Sequence, residues 1–409
     1  MIEYIRPAFD PEIALTAEEL KFLSDHAGED PKVLSLHSGI KDAEQRLRLL
    51  HQFSSRKKLE DKIPALLKHV QFIIPPGISA EQSSSERTAA YKSSLFRGKR
   101  MIDLTAGMGV DAFYLSQGFE EIILIEAQEG LRKILAHNYH VFQRPAVRIA
   151  KDMDAETFVT QYAEKADLIY LDPARRDVAG GKVVKLSDCS PDVVSLLPKL
   201  FAISNRVVLK TSPLLDITQA CEQLGHVKNV YVVAVDQECK ELIFHLEADA
   251  PSTYQIHAVQ LGHQTGEAFS FYPEEEKAAV LNIGAPQKYV YEAHAALMKA
   301  GPYKLLSERL NMPQLHQHTH LYTSEKWMEN FPGRSFEIID VIDADKKAIH
   351  SILKDKKANL SIRNFPSTVK ELRNKWGLLE GGDVYLFACT FDDERKGVVV
   401  AKKGGVFSD

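Results

Sequence analysis

An alternation of short apolar runs with helix-length segments begins at Arg100, and it constrains the fold more than any other feature of the sequence. Five runs follow one another in this way: MIDLT, EIILIE, AVRIA, DLIYLD and RVVLK. This alternation is typical of a parallel sheet whose strands are joined by right-handed helical crossovers. The next two runs, VYVVAV and ELIFHL, are separated only by the segment from Asp236 to Lys240, which is too short for a helix. They therefore predict an antiparallel hairpin at one edge of the sheet.

The sequence before this sheet predicts an all-helical N-terminal domain over residues 1–80. Apolar residues recur with a helical spacing on either side of Thr16, and Thr16 with Glu19 has the spacing of a capping box. Residues 43–53 and 59–72 predict two further helices. A Pro-Pro-Gly breaker then separates these helices from the first strand of the sheet.

The sequence after the hairpin predicts two small α+β domains. The first, residues 249–333, includes a helix around residues 289–300, and the second occupies residues 334–409. With the sheet domain at residues 81–248, we expect four domains along the chain.

Composition narrows the class of protein. Fifty-one Lys and Arg residues stand against 56 Asp and Glu, and this net charge of −5 excludes a uniformly basic nucleic-acid coat but permits a local basic surface. The four cysteines lie far apart and form no C-x-x-C pair, so we expect no disulfide framework and a cytoplasmic location. The first residues lack a signal-peptide pattern, and no apolar run is long enough to span a bilayer, so we expect no membrane partner.

Three histidines, His316, His318 and His320, alternate along the sequence, as they do in some metal sites. Their segment begins with Met-Pro-Gln, which is typical of a loop, and it holds no carboxylate or cysteine. We therefore expect no metal.

The loop after the first predicted strand carries the first functional signal. Gly107 and Gly109 allow the backbone to approach a ligand closely, and the helix that follows offers free N–H groups at its start. Glu126, about twenty residues after these glycines, can accept both hydroxyls of an adenosine ribose. These features suit NAD and S-adenosylmethionine equally. Asp103 favours the latter, because a carboxylate there would repel a pyrophosphate but attract an ammonium and a sulfonium.

The motifs DLTAGMGVD, ILIEA, DLIYLDPARRD and VVLKTSPLLD together resemble those of the class I S-adenosylmethionine-dependent methyltransferases. They are most similar to a bacterial branch that carries a ferredoxin-like domain and a C-terminal THUMP-like domain. The resemblance implies a Rossmann-like α/β core, with the ferredoxin-like domain at residues 249–333 and the THUMP-like domain at 334–409. It also implies that S-adenosylmethionine is held by Asp103, Thr105, Ala106, Gly107, Gly109, Asp111, Glu126, Ala127, Asp152, Met153 and Asp172. Asp154 competes with Asp152 for the contact with the adenine amino group.

The sequence Asp172-Pro173-Ala174-Arg175 follows the fourth predicted strand, at the carboxyl end where open α/β sheets hold their chemistry. In relatives that methylate amines, the acid and a proline are followed by a second proline and an aromatic residue that stacks on the flipped base. Ala174 and Arg175 replace those last two residues, which puts simple amine chemistry in doubt. Asp172, Pro173 and Arg175 remain the catalytic candidates. The neighbouring Arg176, like Arg175, can stack on a base, hold a phosphate or form an ion pair.

Residues 346–375 contain nine basic and two acidic residues, a density that suits contact with a phosphate backbone. Since THUMP-like modules are tied to RNA recognition, the resemblance predicts RNA as the partner. Candidate contacts are Arg175, Arg176, Lys210, Arg363, Lys370 and Arg373. The predicted function is methylation of a base in tRNA or rRNA, without a covalent intermediate because no cysteine lies near the motifs.

Three alternatives to an RNA methyltransferase remain open from the sequence. The altered tetrapeptide would fit a non-catalytic RNA-binding protein that keeps the cofactor fold. A small-molecule methyltransferase and an NAD-dependent oxidoreductase are the other two. The oligomeric state is not predicted.

Overall fold

The computed structural model describes residues 2–30, 42–77, 83–144, 146–175, 186–262, 268–353 and 355–404. The chain divides into two units. Unit 1 comprises residues 1–230 and 240–253, and unit 2 comprises residues 231–239 and 254–409. In the described ranges no helix combines the length and apolar character needed to cross a membrane.

Unit 1 contains the parallel sheet predicted from the apolar runs, with helices between its strands. The strands of the chain up to the hairpin are β1 (Tyr4–Ile5), β2 (Gly98–Asp103), β3 (Phe119–Leu124), β4 (Val147–Ala150), β5 (Leu168–Leu171), β6 (Ala174–Arg175), β7 (Cys189–Ser190), β8 (Arg206–Thr211), β9 (Val227–Val235) and β10 (Glu238–Glu247). The helices are α1 (Ala17–Asp25), α2 (Ala43–Leu59), α3 (Pro64–Leu67), α4 (Glu86–Leu95), α5 (Val110–Leu115), α6 (Glu129–Val141), α7 (Ala155–Gln161), α8 (Val193–Ile203) and α9 (Ile217–Leu224).

The sheet has the order β1-β4-β3-β2-β5-β8-β10-β9. The pairs from β4 to β8 are parallel, whereas β1 and β10 run antiparallel to their neighbours β4 and β8. All four residues of β5 are buried, as expected for a parallel strand that is covered on both faces. The predicted parallel sheet with an antiparallel hairpin is therefore confirmed.

The predicted position of the hairpin at the edge of the sheet is wrong. Within unit 2, the end of β9 lies beside β11 (Gln255–Leu261), and the Asp236 N–H donates to the Leu261 carbonyl at 3.2 Å. Val232, Val233 and Ala234 on β9 are fully buried, and an exposed edge strand would not need to be apolar on both faces.

The N-terminal segment is helical with one addition, the short strand β1. The capping box is confirmed: the Glu19 N–H donates to Thr16 Oγ1 at 3.2 Å, and the Thr16 N–H donates to Glu19 Oε2 at 2.8 Å. The helix predicted at residues 59–72 is wrong, because α2 continues to Leu59 and only α3 follows it, beginning at Pro64. A proline is well suited to the first position of a new helix and poorly suited to the interior of a continuing one.

After α3 the chain is extended and buried, and side chains hold its backbone. Asn138 on α6 accepts the Ile73 N–H and donates to the Ile73 carbonyl, both at 2.9 Å. Gln52 makes the equivalent pair with Ile74, at 3.1 and 2.8 Å. These amide side chains replace the partners that a helix or sheet would have provided.

We expect Asn138→Leu to lower the free energy of unfolding by about 2–4 kcal/mol, because it leaves a buried N–H and a buried carbonyl of Ile73 without partners. Gln223→Leu, at an exposed position on α9, is the control and should change stability by less than about 0.5 kcal/mol. Guanidinium denaturation followed by circular dichroism measures both. Equal midpoints for the two variants would contradict the role given to Asn138.

Unit 2 contains a second, six-stranded sheet in addition to β11 and its antiparallel partner β12 (Phe269–Phe271). The strands of the six-stranded sheet are β13 (Tyr289–Ala293), β14 (Leu321–Ser324), β15 (Gly333–Asp343), β16 (Asn359–Arg363), β17 (Val384–Thr390) and β18 (Lys396–Lys403), in the order β14-β13-β15-β18-β17-β16. The helices of this unit are α10 (Pro273–Ala278), α11 (Ala295–Ala300), α12 (Tyr303–Leu310), α13 (Lys346–Ile352) and α14 (Val369–Trp376).

The helix predicted around residues 289–300 is wrong over its first half. Residues 289–293 form β13, which pairs with β14 on one side and β15 on the other. Val290 and Tyr291 are fully buried, because a central strand covers both of its faces. The helix begins only after His294, whose Nδ1 accepts the Leu297 N–H as a cap.

Candidate active site

Functional side chains gather at the carboxyl ends of four neighbouring strands in unit 1. Asp103 ends β2, Glu126 follows β3, Asp172 follows β5, and Lys210 lies near the end of β8. These strands are adjacent and parallel, in the order β3-β2-β5-β8, so their carboxyl ends lie along one edge of the sheet.

The loop after β2 connects three of these strand ends by hydrogen bonds. Asp103 Oδ1 accepts the Thr105 N–H at 2.9 Å, and Thr105 Oγ1 accepts the Asp172 N–H at 2.6 Å. On the other side, the Gly107 N–H donates to Glu126 Oε2 at 3.1 Å. The loop therefore fixes the relative positions of Asp103, Glu126 and Asp172.

The two glycines of this loop meet different surroundings. Gly107 has a φ of +53°, and a Cβ there would meet only the Thr105 carbonyl oxygen, at 3.9 Å. Gly109 has a φ of +83°, and a Cβ there would lie 2.7 Å from Leu135 Cδ1 and 2.8 Å from Tyr139 Cε2. Gly107 thus leaves open space beside the loop, whereas Gly109 allows α6 to pack closely against it.

We expect Gly109→Ala to destabilise the protein by about 2–4 kcal/mol, because a left-handed backbone and a steric clash with α6 add together. Gly107→Ala introduces only the backbone strain and should therefore lower the free energy of unfolding by about 1–2 kcal/mol. Thermal unfolding of both variants makes the comparison. A larger loss for Gly107→Ala would contradict this account.

An alternating row of five charged side chains extends from the interior to Asp172, and we call it the ion row. Its members come from five elements: Glu241 on β10, Lys92 on α4, Asp111 on α5, Lys210 on β8 and Asp172 after β5. Lys92 Nζ lies 2.5 Å from Glu241 Oε1 and 3.1 Å from Asp111 Oδ1. Lys210 Nζ lies 3.4 Å from Asp111 Oδ2 and 2.5 Å from Asp172 Oδ2.

Two hydroxyl groups complete the partners of Asp111 in the ion row. Ser84 Oγ and the Tyr170 hydroxyl each donate to Asp111 Oδ2 at 2.7 Å. Lys210 also donates to Ser84 Oγ at 2.8 Å. Four members of the row are buried, while the side chain of Asp172 is 36% exposed and forms its outer end.

The carboxylates of the site differ in their affinity for a proton. Burial raises the pKa of Asp103 to about 8, with the nearby charges of Asp111 and Asp172 adding to the rise and the Thr105 N–H opposing it. Burial also acts to raise the pKa of Asp111, but the ammonium groups of Lys92 and Lys210 lower it below its usual value. The pKa of Asp172 is raised, by desolvation first and by Asp111 next, against the opposing charge of Lys210.

The raised pKa of Asp103 makes stability depend on pH. Between about pH 4 and pH 8 the unfolded chain releases a proton that the folded protein keeps, so this contribution to stability falls as pH rises through that window. We expect Asp103→Asn to be more stable than the wild type by a margin that grows from pH 5 to pH 8. Asp249→Asn, at an exposed residue, is the control for urea denaturation at both pH values. A margin that does not change with pH would show that Asp103 is already ionised at pH 5.

The residues predicted near the adenine lie beside a buried arginine that sequence reasoning missed. Arg132 on α6 donates to the carbonyls of Glu126 and Ala127 at 2.9 and 3.2 Å, and it forms an ion pair with Asp152. Asp154, the rival of Asp152, caps α7 by accepting the Thr157 N–H at 2.8 Å. Among the other predicted cofactor contacts, Ala106 is buried, Met153 is half-buried and Ala127 is exposed.

The tetrapeptide after β5 enters a two-stranded sheet. Pro173 is half-buried, and the backbone of Arg175 on β6 pairs with Cys189 on β7. The expectation that no cysteine lies near the motifs is therefore wrong, because the fold brings Cys189 beside the strand that follows Asp172. Arg176 lies outside the described residues.

The remaining predicted substrate contacts lie in unit 2. Arg363 donates to Glu292 Oε1 at 2.5 Å, and Arg334 holds the other oxygen of the same buried carboxylate. Arg373 is half-buried, 3.3 Å from Glu380, and Lys370 is exposed.

Two of the three alternating histidines contact each other, and the third stacks on a tyrosine. His316 Nε2 lies 3.1 Å from Glu394 Oε1, and its Nδ1 accepts the His318 N–H at 3.1 Å. His320 stacks on Tyr303 with ring centroids 3.6 Å apart. In the part of the chain that the structure describes, no group of three or more His, Cys, Asp or Glu residues could hold a metal ion.

One solved structure is similar to the whole chain. A crystal structure of a protein from Porphyromonas gingivalis W83, described as a candidate methyltransferase, shares 30% sequence identity with a TM-score of 0.85. The match covers 97% of this chain and 100% of that chain. The chain belongs to this methyltransferase family.

The C-terminal part of this methyltransferase-family protein matches two domain families. A ferredoxin-like domain matches residues 289–332, and a THUMP domain-like family matches residues 333–403. The predicted resemblance to the branch with these two domains is confirmed. No protein of curated function matches the chain.

Two further solved structures match less than half of this methyltransferase-family chain. A candidate methyltransferase from Streptococcus mutans in complex with S-adenosylhomocysteine is 14% identical, covers 39% of this chain and 94% of its own, and has a TM-score of 0.29. A candidate RNA methyltransferase from Pyrococcus horikoshii is 15% identical, covers 44% and 96%, and has a TM-score of 0.32.

Proposed function

We propose that this protein is an S-adenosylmethionine-dependent methyltransferase that modifies a nucleotide of RNA. The observation that carries the proposal is the arrangement of Asp103, Glu126 and Asp172 at three adjacent strand ends, joined through one glycine-containing loop. Membership of a methyltransferase family supports the reaction type. It also removes the support for an NAD-dependent oxidoreductase.

The residues around the loop suit the chemistry of this cofactor. The open space beside Gly107 admits a ligand close to the backbone. Asp103 would attract the ammonium and sulfonium of the methionine part, and binding of these cations would favour its ionised form. Glu126 accepts the N–H groups of Gly107 and Gln128 at 3.1 and 2.9 Å, which orients its carboxylate for the ribose hydroxyls. Asp152 is proposed to meet the adenine.

The cofactor would supply a methyl group on a sulfonium, which is activated for in-line displacement. The protein must then hold the acceptor at the attack distance, and such positioning can lower the barrier by about 7–11 kcal/mol. We propose Asp172 for this task, because its backbone is fixed by Thr105 and its carboxylate by Lys210. Pro173 and Arg175 follow it directly and are proposed to shape the acceptor side.

RNA as the acceptor is supported by the THUMP-like domain at residues 333–403 and by the basic residues within it. Lys370 is exposed and available to a phosphate. Arg363 and Arg373 are proposed to contribute positive charge to the RNA contact while retaining the ion pairs with Glu292 and Glu380. A small-molecule acceptor would leave these two C-terminal domains without a role.

The proposal is tested by incubating the purified protein with tritium-labelled S-adenosylmethionine and RNA from a strain that lacks its gene. Parallel reactions contain protein and small-molecule fractions. We expect label in RNA, lost in Asp172→Ala because the acceptor is no longer held, and retained in the surface control Asp249→Asn.

Label confined to the protein or small-molecule fraction would contradict RNA as the acceptor. Binding of S-adenosylhomocysteine without any methyl transfer would instead favour the non-catalytic RNA-binding alternative. Circular dichroism of Asp172→Ala verifies that the variant is folded.

A further inference from the structure

We propose that the acceptor atom is a ribose hydroxyl oxygen, and that the ion row is the device that accepts its proton through Asp172. This inference rests on the proposed function and names its substrate group. Four observations carry it: the arrangement of the row, its burial, the exposure of Asp172 at its outer end, and the surroundings of the tetrapeptide after β5.

Burial of the ion row carries a large desolvation penalty, and the row contributes little to the stability of the fold. Lys92 is 0% and Lys210 is 7% exposed, and removing an ammonium from water costs several kcal/mol even when a carboxylate faces it. Apolar side chains of similar volume usually serve a core as well or better. A buried charge network at the carboxyl ends of the strands, beside the site proposed for the methyl donor, is instead typical of a catalytic centre.

The contacts of Lys210 define its role in the row. Its ammonium has three donors, and these are directed at Asp172, Ser84 and Asp111. The charges of Asp172 and Asp111 outweigh the effect of burial and raise the pKa of Lys210, so it stays protonated. Lys210 is therefore a positioning residue that holds Asp172, and Lys92 holds Asp111 in the same way from the other side.

Methylation of a hydroxyl group and methylation of an amine require different residues at the acceptor side. A hydroxyl oxygen that is methylated while it keeps its proton becomes a highly unstable oxonium, so a proton acceptor must lie beside it. Asp172 offers a carboxylate that Lys210 holds in position and whose side chain remains accessible. Methylation of a base amine relies instead on a second proline and a stacking aromatic residue, and here Ala174 and Arg175 stand in those places.

Two tyrosines near the site in the described ranges offer no stacking surface for a flipped base. Tyr170 donates its hydroxyl to Asp111, and Tyr139 donates to the Gly109 carbonyl at 3.0 Å. Both rings are buried, at 1% and 0% exposure, so neither presents a face on which a base could stack. A ribose hydroxyl lies on the backbone of the strand and can be reached without such a platform.

The proposed step conserves atoms and charge. A lone pair of the ribose oxygen forms the new bond to the methyl carbon, and the electrons of the breaking carbon–sulfur bond stay on sulfur, giving a neutral thioether. The hydroxyl proton passes to a carboxylate oxygen of Asp172 and later to water. The positive charge of the sulfonium is thus replaced by one released proton, and no further reactant is required.

Alkaline hydrolysis of the tritium-labelled RNA tests the inference directly in the wild-type protein. Cleavage by alkali needs a free 2′-hydroxyl, so a methylated ribose protects its own phosphodiester bond. We expect the label in alkali-resistant dinucleotides. Label in mononucleotides would place the methyl group on a base and overturn this inference while leaving the proposed function intact. No label in any RNA would mean that the proposed function itself has failed.

Variants of the row then test its role. Asp172→Asn should reduce methyl transfer by about 100- to 10,000-fold, since the amide cannot accept the proton. Lys228→Met, which removes an exposed lysine paired only at the surface with Glu247, should leave the rate unchanged. Thermal unfolding and the affinity for S-adenosylhomocysteine verify that each variant is folded. Full activity of Asp172→Asn would overturn the assignment.

The pH profile distinguishes positioning from a merely structural role. Asp172 faces Lys210 on β8, Asp111 on α5 and, further along, Lys92 on α4 and Asp103 on β2. Loss of the cation in Lys210→Met should raise the pKa of Asp172. The rising limb of the pH–rate profile should therefore move to higher pH, and Lys210→Arg should restore the wild-type profile. A uniform loss of rate at every pH would contradict the role of Lys210.

Discussion

The burial of two lysine ammonium groups constrains most of unit 1. Lys92 and Lys210 can be tolerated in the interior only if carboxylates face them, and those carboxylates come from α5, β10 and the segment after β5. Each element that contributes to the row must therefore hold its charged side chain within hydrogen-bonding distance of the next one. The same requirement fixes the end of β5, and with it Asp172, on which the proposed chemistry depends.

Two aspartates, one at the end of β2 and one at the start of α5, differ in protonation because their neighbours differ. Asp111 faces two cations and two hydroxyl donors and stays ionised, whereas Asp103 is buried with a single backbone N–H as its hydrogen-bond donor and holds its proton to about pH 8. Environments that separate the pKa values of nearby carboxyl groups are how a site assigns different tasks to identical side chains. Asp111 is thereby a constant negative charge within the fold, whereas the ionisation of Asp103 changes near pH 8.

The part of this site that sequence could predict consists of residues that lie at or directly after the end of a predicted strand. Asp103, Gly107 and Glu126 are recognisable because strand, loop and helix follow directly along the chain. Lys92 and Glu241 are 149 residues apart, and a lysine on a helix ordinarily indicates a solvated face, so no sequence pattern pointed to their contact. The error at residues 289–293 has a related cause, since aromatic and β-branched residues beside a helix suit a buried strand once β14 and β15 flank them.

The shared sheet of unit 2 has a consequence for how this protein can vary. Strands β13 and β14 come from the ferredoxin-like match, β15 to β18 from the THUMP-like match, and the buried Glu292 of the first is held by Arg334 and Arg363 of the second. The two family matches therefore meet within a single sheet. Separating the chain at residue 332 would take both arginine partners from Glu292 and would expose one edge of β13 and one edge of β15, so we expect neither matched segment to fold without the other.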